Sequence, residues 1–131
     1  LTHAAPLNWL GSIDVDDTGA VDLKLQGTAI FVDASRLYAL AHGVTATGTR
    51  ERLEAVGARL GLAPHEYQAW TGGFEFLQML RLRVQLEDSM DAAHPNRIAV
   101  ASLNDIDRRI LKESFRIARA LQQRLQLDYE R

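Results

Sequence analysis

YQAWTGGFEFLQMLRLRVQLED, running from Tyr67 to Asp88, decides the fold. At about 100° per residue, Trp70, Phe74, Leu77, Arg81 and Val84 fall on one helical stripe, flanked by Phe76 and Leu80. Met79, Leu82 and Leu86 cover much of the opposite side. A helix that is apolar nearly all round is buried on most sides, so this stretch is predicted to be the central post of a helical bundle. Arg81 interrupts the apolar stripe. A guanidinium there is costly to bury without a carboxylate, carbonyls or a bound anion beside it. A structural ion pair is the ordinary outcome and a ligand contact the other.

Outward from this post the chain reads as three further helices and an irregular start. Thr28–His42 is predicted to be the first helix, with Ile30, Ala34, Leu37 and Ala41 inward, Phe31 and Tyr38 flanking, and Gly43 as its stop. Asp33 and Arg36 are three apart on it and within reach of one another. Thr49–Leu60 is the second helix, with Leu53, Val56 and Leu60 inward. Pro64 stands where proline is tolerated, at the start of the central helix. Gly72–Gly73 inside that helix predicts a close backbone approach or a bend. Ser89–Ala101 reads as a loop with a turn at Pro95–Asn96. Ser102-x-x-Asp105 resembles a capping box ahead of the last helix, Leu103–Leu127, whose inward stripe is Leu103, Ile106, Ile110, Ile117, Leu121 and Leu125. Residues 1–27 read as an irregular linker carrying a short strand at Ala20–Leu25, with Leu7–Leu10 as its partner. The expected architecture is therefore all-α: an up-and-down four-helix bundle over residues 28–131, preceded by a short β or irregular segment.

Composition narrows the class. The 131 residues suit one domain. With no cysteine, neither a disulfide framework nor a thiolate metal site is available. A net charge of −2 argues against broad nucleic-acid binding, which needs a basic face. No apolar run reaches the ~18–20 residues that span a bilayer, so the expected location is the cytoplasm. A chain that opens on Leu1 in place of methionine is expected to be a piece of a longer protein.

Motifs for catalysis are absent. Gly11-Ser12 with Asp14-Val15-Asp16 superficially resembles a nucleotidyltransferase signature, but in that signature the carboxylates that hold Mg²⁺ lie about ten residues past the serine. Only one residue intervenes here, which makes the cluster a turn. His3, His42, His65 and His94 are scattered without metal-ligand spacing. Arg36-x5-His42 matches the loose pattern of HEPN ribonucleases, yet six residues along a helix turn the side chains about 240° apart. What remains is a charged constellation: Asp22 and Lys24 flanking Leu23 on one face of the strand, then Asp33, Arg36, Arg52, Glu75, Arg81, Arg83 and Lys112.

The order of four blocks is informative beyond any one of them. VDLKLQGTAIFVDASRLYALAHGV, TRERLEAV, GGFEFLQMLRLRVQLE and SLNDIDRRILKESFRIARALQQRL resemble the nucleotidyltransferase substrate-binding domain family, over roughly residues 20–127. This is a helical module downstream of a nucleotidyltransferase domain related to bacterial PII-uridylyltransferases, in proteins that often carry CBS or cyclic-nucleotide-binding domains. Asp22-Leu23-Lys24 is similar to the entry of the helical region in PII-uridylyltransferases and glutamine-synthetase adenylyltransferases. Where those enzymes continue with an arginine-containing glycine stretch, Gly27–Asp33 lacks the arginine.

The resemblance implies an accessory role in nucleotidyl transfer within bacterial signal transduction. The fragment itself is expected to have no catalytic residue, no metal and no cofactor. Mg²⁺ and a nucleoside triphosphate are expected for the full-length protein, and an upstream domain of the same chain and a nucleotide or protein acceptor as partners. Asp22, Lys24, Asp33, Arg36, Arg81 and Arg83 are the candidate substrate-binding residues, with Lys24 at the junction expected to reach a triphosphate. Two other readings stand beside it: a dimerisation or interaction bundle without a ligand site, self-associating through the last helix as a homodimer, and a HEPN-type ribonuclease.

Overall fold

Pro64 opens a 23-residue helix that runs without a break to Leu86, and the other elements are arranged around it. The computed structural model describes Val15, residues 19–87 and residues 95–129. The order is β1 (Ala20–Asp22), a π-helical turn (Lys24–Thr28), α1 (Ala29–His42), α2 (Thr49–Arg59), α3 (Pro64–Leu86), β2 (Arg97–Ala99), a 3-10 turn (Val100–Ser102) and α4 (Asp105–Tyr129). The expected class, all-α with a short β segment ahead of the bundle, is the class observed, but the expected up-and-down path is broken at the first connection, where α1 and α2 run in the same sense. The stops are glycines in the left-handed region: Gly43 ends α1 at φ +66°, and Gly61 turns the chain from α2 into α3 at φ +75°.

The four helices pack in a square, α1 against α2, α2 against α3, α3 against α4 and α4 back against α1. Direction reverses at α2–α3, where Arg50 meets Glu75, and at α3–α4, where Arg83 meets Asp107. α1 runs in the same sense as α2 and α4. Tyr38 near its end donates to Asp128 at the end of α4, and Arg59 at the end of α2 donates to the His42 carbonyl. The link 43–48 makes this possible: six extended residues reach about 20 Å, enough to return along an eleven-residue helix of about 16 Å.

Leu23, Phe31, Tyr38, Leu53, Leu77, Leu80, Leu111, Phe115 and Leu121 fill the core. Phe31 and Phe74 meet edge to face, centroids 6.0 Å apart, the orientation favoured by ring quadrupoles. The inward stripes differ from the expected ones in a consistent way. α1 buries Ile30, Phe31, Ala34, Ser35, Tyr38 and Ala39, leaving Leu37 and Ala41 exposed. α4 buries Leu111, Ser114, Phe115, Ala118, Leu121, Gln122 and Leu125, leaving Ile106 and Ile110 exposed. In both helices the aromatic side chains occupy the centre of the buried face rather than its flank, because they remove the most apolar area from water. α3 buries Trp70, Phe74, Leu77, Leu80 and Val84 as expected, but Met79, Leu82 and Leu86 are exposed.

The β segment also differs. β1 pairs antiparallel with β2, inside the expected loop Ser89–Ala101, in the register Ala20↔Ala99, Val21↔Ile98 and Asp22↔Arg97. The expected partner Leu7–Leu10 lies outside the described residues, as does most of the Gly11–Asp16 turn. The strand is shorter than Ala20–Leu25, because Asp22 Oδ1 accepts from the amides of Lys24 (2.9 Å) and Leu25 (2.8 Å) and bends the chain into the π-helical turn. Ser102 is not the cap of α4: its hydroxyl donates to the Ala99 carbonyl. Asn104 Oδ1 takes the Asp107 amide at 2.7 Å instead. Of the glycine pair, Gly73 is the close approach, 3.2 Å from Phe31 Cζ to where its Cβ would stand, while Gly72 faces open space.

Candidate functional site

The structure places the six candidate residues at three locations. Asp22, Lys24 and Arg81 gather where β1, the π-helical turn, α3 and the start of β2 meet. Arg83 lines a cleft between α3, β2 and the start of α4, and Asp33 with Arg36 lines a groove between α1 and α2.

Arg81 is the centre of the junction. It is half-buried, and its Nε donates to Asn96 Oδ1 at 3.0 Å, while Nη1 donates to Gln78 Oε1 at 2.9 Å and to Thr28 Oγ1 at 3.3 Å. Among the described residues the expected ion pair is therefore not the arrangement found. Three neutral oxygens hold the guanidinium, and no carboxylate comes within salt-bridge distance among the described residues. Neutral dipoles orient a cation without cancelling its charge. Asn96 also accepts the Leu23 amide on its main-chain carbonyl at 2.8 Å, so Arg81 ties α3 to both strands' ends.

Asp22 spends one carboxylate oxygen on the turn that follows it, and its amide is taken by Gln26 Oε1. It is a local organiser of the backbone. Because β1 ends at Asp22, Lys24 does not share a strand face with it. Lys24 lies exposed in the π-helical turn and forms no ion pair among the described residues.

Arg83 is engaged by Asp107 Oδ2 at 2.8 Å, across the α3–α4 seam. The pair borders a cleft of about 410 Å³ whose other walls include Glu87, Arg97, Ser102 and Asn104. Two cations and two acids make this cleft polar but nearly neutral. The α1–α2 groove, about 490 Å³, sets Asp33, Arg36 and Arg52 beside Leu37, Leu40 and Val44. Asp33 and Arg36 do not pair with one another. Arg52 Nε is satisfied by the Ala46 carbonyl at 2.9 Å.

Asn96, Thr28, Gln78 and Asp107 were missed at the sequence level. Only Asp107 carried a signal, as an acid in the first turn of a predicted helix. The amide and hydroxyl partners of Arg81 are distant in sequence, and no spacing rule reaches them.

His42 and Arg36 stand on one unbroken helix and meet different neighbours: His42 Nε2 lies 3.1 Å from the Tyr129 hydroxyl, and Arg36 faces the α1–α2 groove. The paired geometry a HEPN centre requires is not formed. Among the described residues no three His, Asp or Glu side chains stand close enough to share a metal ion. No helix among them is long and apolar enough to cross a membrane. Burial, reinforced by the Asp128 carboxylate, pushes the Tyr38 phenol well above its ordinary value, and the Arg116 guanidinium holds Glu113 below the usual carboxylate range.

Comparison with curated proteins and with solved structures returns no match. A family model does match, and it covers residues 1–129, nearly the whole chain. The chain thus belongs to the family described as "Putative nucleotidyltransferase substrate binding domain".

Proposed function

We propose that this helical domain is the non-catalytic substrate-holding module of a PII-uridylyltransferase-like nucleotidyltransferase in bacterial cytoplasmic signalling. The observation that carries the proposal is the family match over residues 1–129. The geometry adds a chemical preference. Among the described residues Arg81 meets only neutral oxygens at the β-strand junction, and the exposed Lys24 ammonium belongs to the turn beside it. A fixed guanidinium with a mobile ammonium is suited to phosphate oxygens, the guanidinium supplying direction and the ammonium reach.

In this reading the nucleotidyltransferase domain of the same chain supplies the reacting carboxylates and Mg²⁺. The described residues offer no ligand cluster for that ion. The role of this domain is to close one wall of the cleft over the nucleoside triphosphate or the acceptor and to hold its anionic part. Arg81 orients, Lys24 neutralises, and Asp22 fixes the turn that presents Lys24. Binding of that kind contributes through positioning and charge rather than proton transfer.

The test is a titration with ATP, UTP, CTP and GTP, with and without Mg²⁺, followed by amide chemical shifts. Saturable shifts centred on Lys24 and Arg81 are expected, together with loss of about tenfold in affinity in Lys24→Ala, the scale of one charge-assisted contact. With the catalytic domain joined, Lys24→Ala is expected to raise KM for the nucleotide or acceptor. A joined enzyme indifferent to both Lys24→Ala and Arg81→Gln would remove the substrate-holding claim.

A further inference from the structure

The bundle is unequal along its length, and the inequality leaves an apolar surface uncovered. α2 has eleven residues and α3 has 23, about 16 Å against about 35 Å. The start of α2 is marked on α3 by the contact of Arg50 with Glu75. Beyond Glu75, α3 continues past the end of its neighbour, and the side that α2 covers lower down has no covering helix among the described residues. Met79, Leu82 and Leu86 stand on that side at 53%, 55% and 78% exposure. On α4, Ile106 and Ile110 are 68% and 40% exposed. Leu86 stands three residues after Arg83 and Ile110 three after Asp107, so the Arg83–Asp107 ion pair joins the two stripes at their edges.

We infer that this α3–α4 shelf is a homodimer interface, with the same shelf of a second copy as its occupant. Three observations favour a second copy. The first is area. Five large aliphatic side chains at these exposures leave on the order of 500 Å² of apolar surface in one strip, the upper end for a monomer. Doubled, that approaches the ~1,000 Å² at which an interface becomes specific, before any polar rim is added. The second is charge. The five residues carry none, and most of the charged residues beside them are already paired in opposite signs: Arg83 with Asp107, Arg116 with Glu113 and Arg50 with Glu75, while the exposed Arg109 beside Ile110 forms no ion pair among the described residues. Two identical shelves therefore meet with their flanking charges largely compensated, Arg109 standing at the solvent-exposed edge of the α4 stripe. The third is architecture. On its outward side this end of the bundle presents two antiparallel helices without a covering layer among the described residues, and a two-fold related pair supplies two more. The contact is independent of the junction at Lys24 and Arg81 and goes beyond the nucleotidyltransferase reading.

Sedimentation velocity of the chain, from low to high micromolar, is expected to show a monomer–dimer equilibrium. Leu82→Glu with Ile106→Glu is expected to raise the dissociation constant at least ~100-fold, since charge is then buried at the centre of the contact. Leu40→Glu, an exposed change on α1 away from the shelf, leaves it unchanged. Both positions of the pair are solvent-facing, so far-UV circular dichroism should be preserved; Leu82→Asn with Ile106→Ser repeats the measurement with neutral side chains. A chain monomeric throughout, or a dimer indifferent to both double variants, overturns the inference. So does a shelf-dependent complex with the nucleotidyltransferase domain supplied in trans while the chain alone stays monomeric.

Discussion

Tyr38 shows how one side chain binds the far end of the bundle. Its ring is fully buried, its hydroxyl donates to Asp128 at 2.7 Å, and Tyr129 packs on it edge to face at 5.4 Å. Burial, then the Asp128 carboxylate, raises the phenol above its ordinary value of 10.0. The folded state therefore holds this proton more tightly than the unfolded chain, so the contribution is complete below about pH 10 and is lost as pH rises further. Tyr38→Phe is expected to cost about 1 kcal/mol at neutral pH, the net value of one hydrogen bond. It should also flatten the alkaline fall in stability, because the group that must ionise is gone. Urea melts at neutral pH and above pH 10 check both. Arg81 illustrates the limit of sequence at this scale. Its awkward place in an apolar stripe was legible, but its partners Thr28, Gln78 and Asn96 were not, since neutral amides and hydroxyls have no signature until the fold assembles them.

Between elements, close approach is set by glycine, and the sites are not equivalent. A Cβ on Gly57 of α2 would overlap the Tyr67 side chain of α3, where the two helices pass nearest. On Gly72 it would meet nothing within 4 Å. Gly57→Ala is thus expected to destabilise by about 1–3 kcal/mol through overpacking. Gly72→Ala should stabilise by about 0.5–1 kcal/mol by restricting the unfolded chain and favouring helix. Thermal melts of the two variants should move in opposite directions. Helix existence was legible from period and from Gly43, Gly61 and Pro64, and the observed ends fall close to the expected ones. The buried face was less so. α1 and α4 each carry apolar residues on more than one stripe, and periodicity alone does not rank Leu37 against Phe31 or Ile110 against Leu111. The ranking depends on which side chains fill the space between four helices.

For the whole molecule, stability and assembly are linked. If copies associate through the α3–α4 shelf, the folded state is drawn forward by mass action. The melting temperature of the chain is then expected to rise by several degrees over a hundredfold increase in concentration, and that of the Leu82→Glu, Ile106→Glu variant to stay constant. Differential scanning calorimetry at two concentrations is the check. The amino-acid sequence by itself determined the all-α class, the four helices and the resemblance, confirmed over residues 1–129, to the nucleotidyltransferase substrate-binding family. These follow from local periodicity, caps and the order of motifs, all of which lie along the chain. Only the tertiary structure decided that β1 pairs with Arg97–Ala99, that α1 runs in the sense of α2 and α4, and that Arg81 is held by neutral oxygens. The same holds for the exposure of Met79, Leu82 and Leu86. Each of these depends on contacts between segments far apart in sequence and on helices of unequal length, and a stripe of apolar residues does not say what lies opposite it.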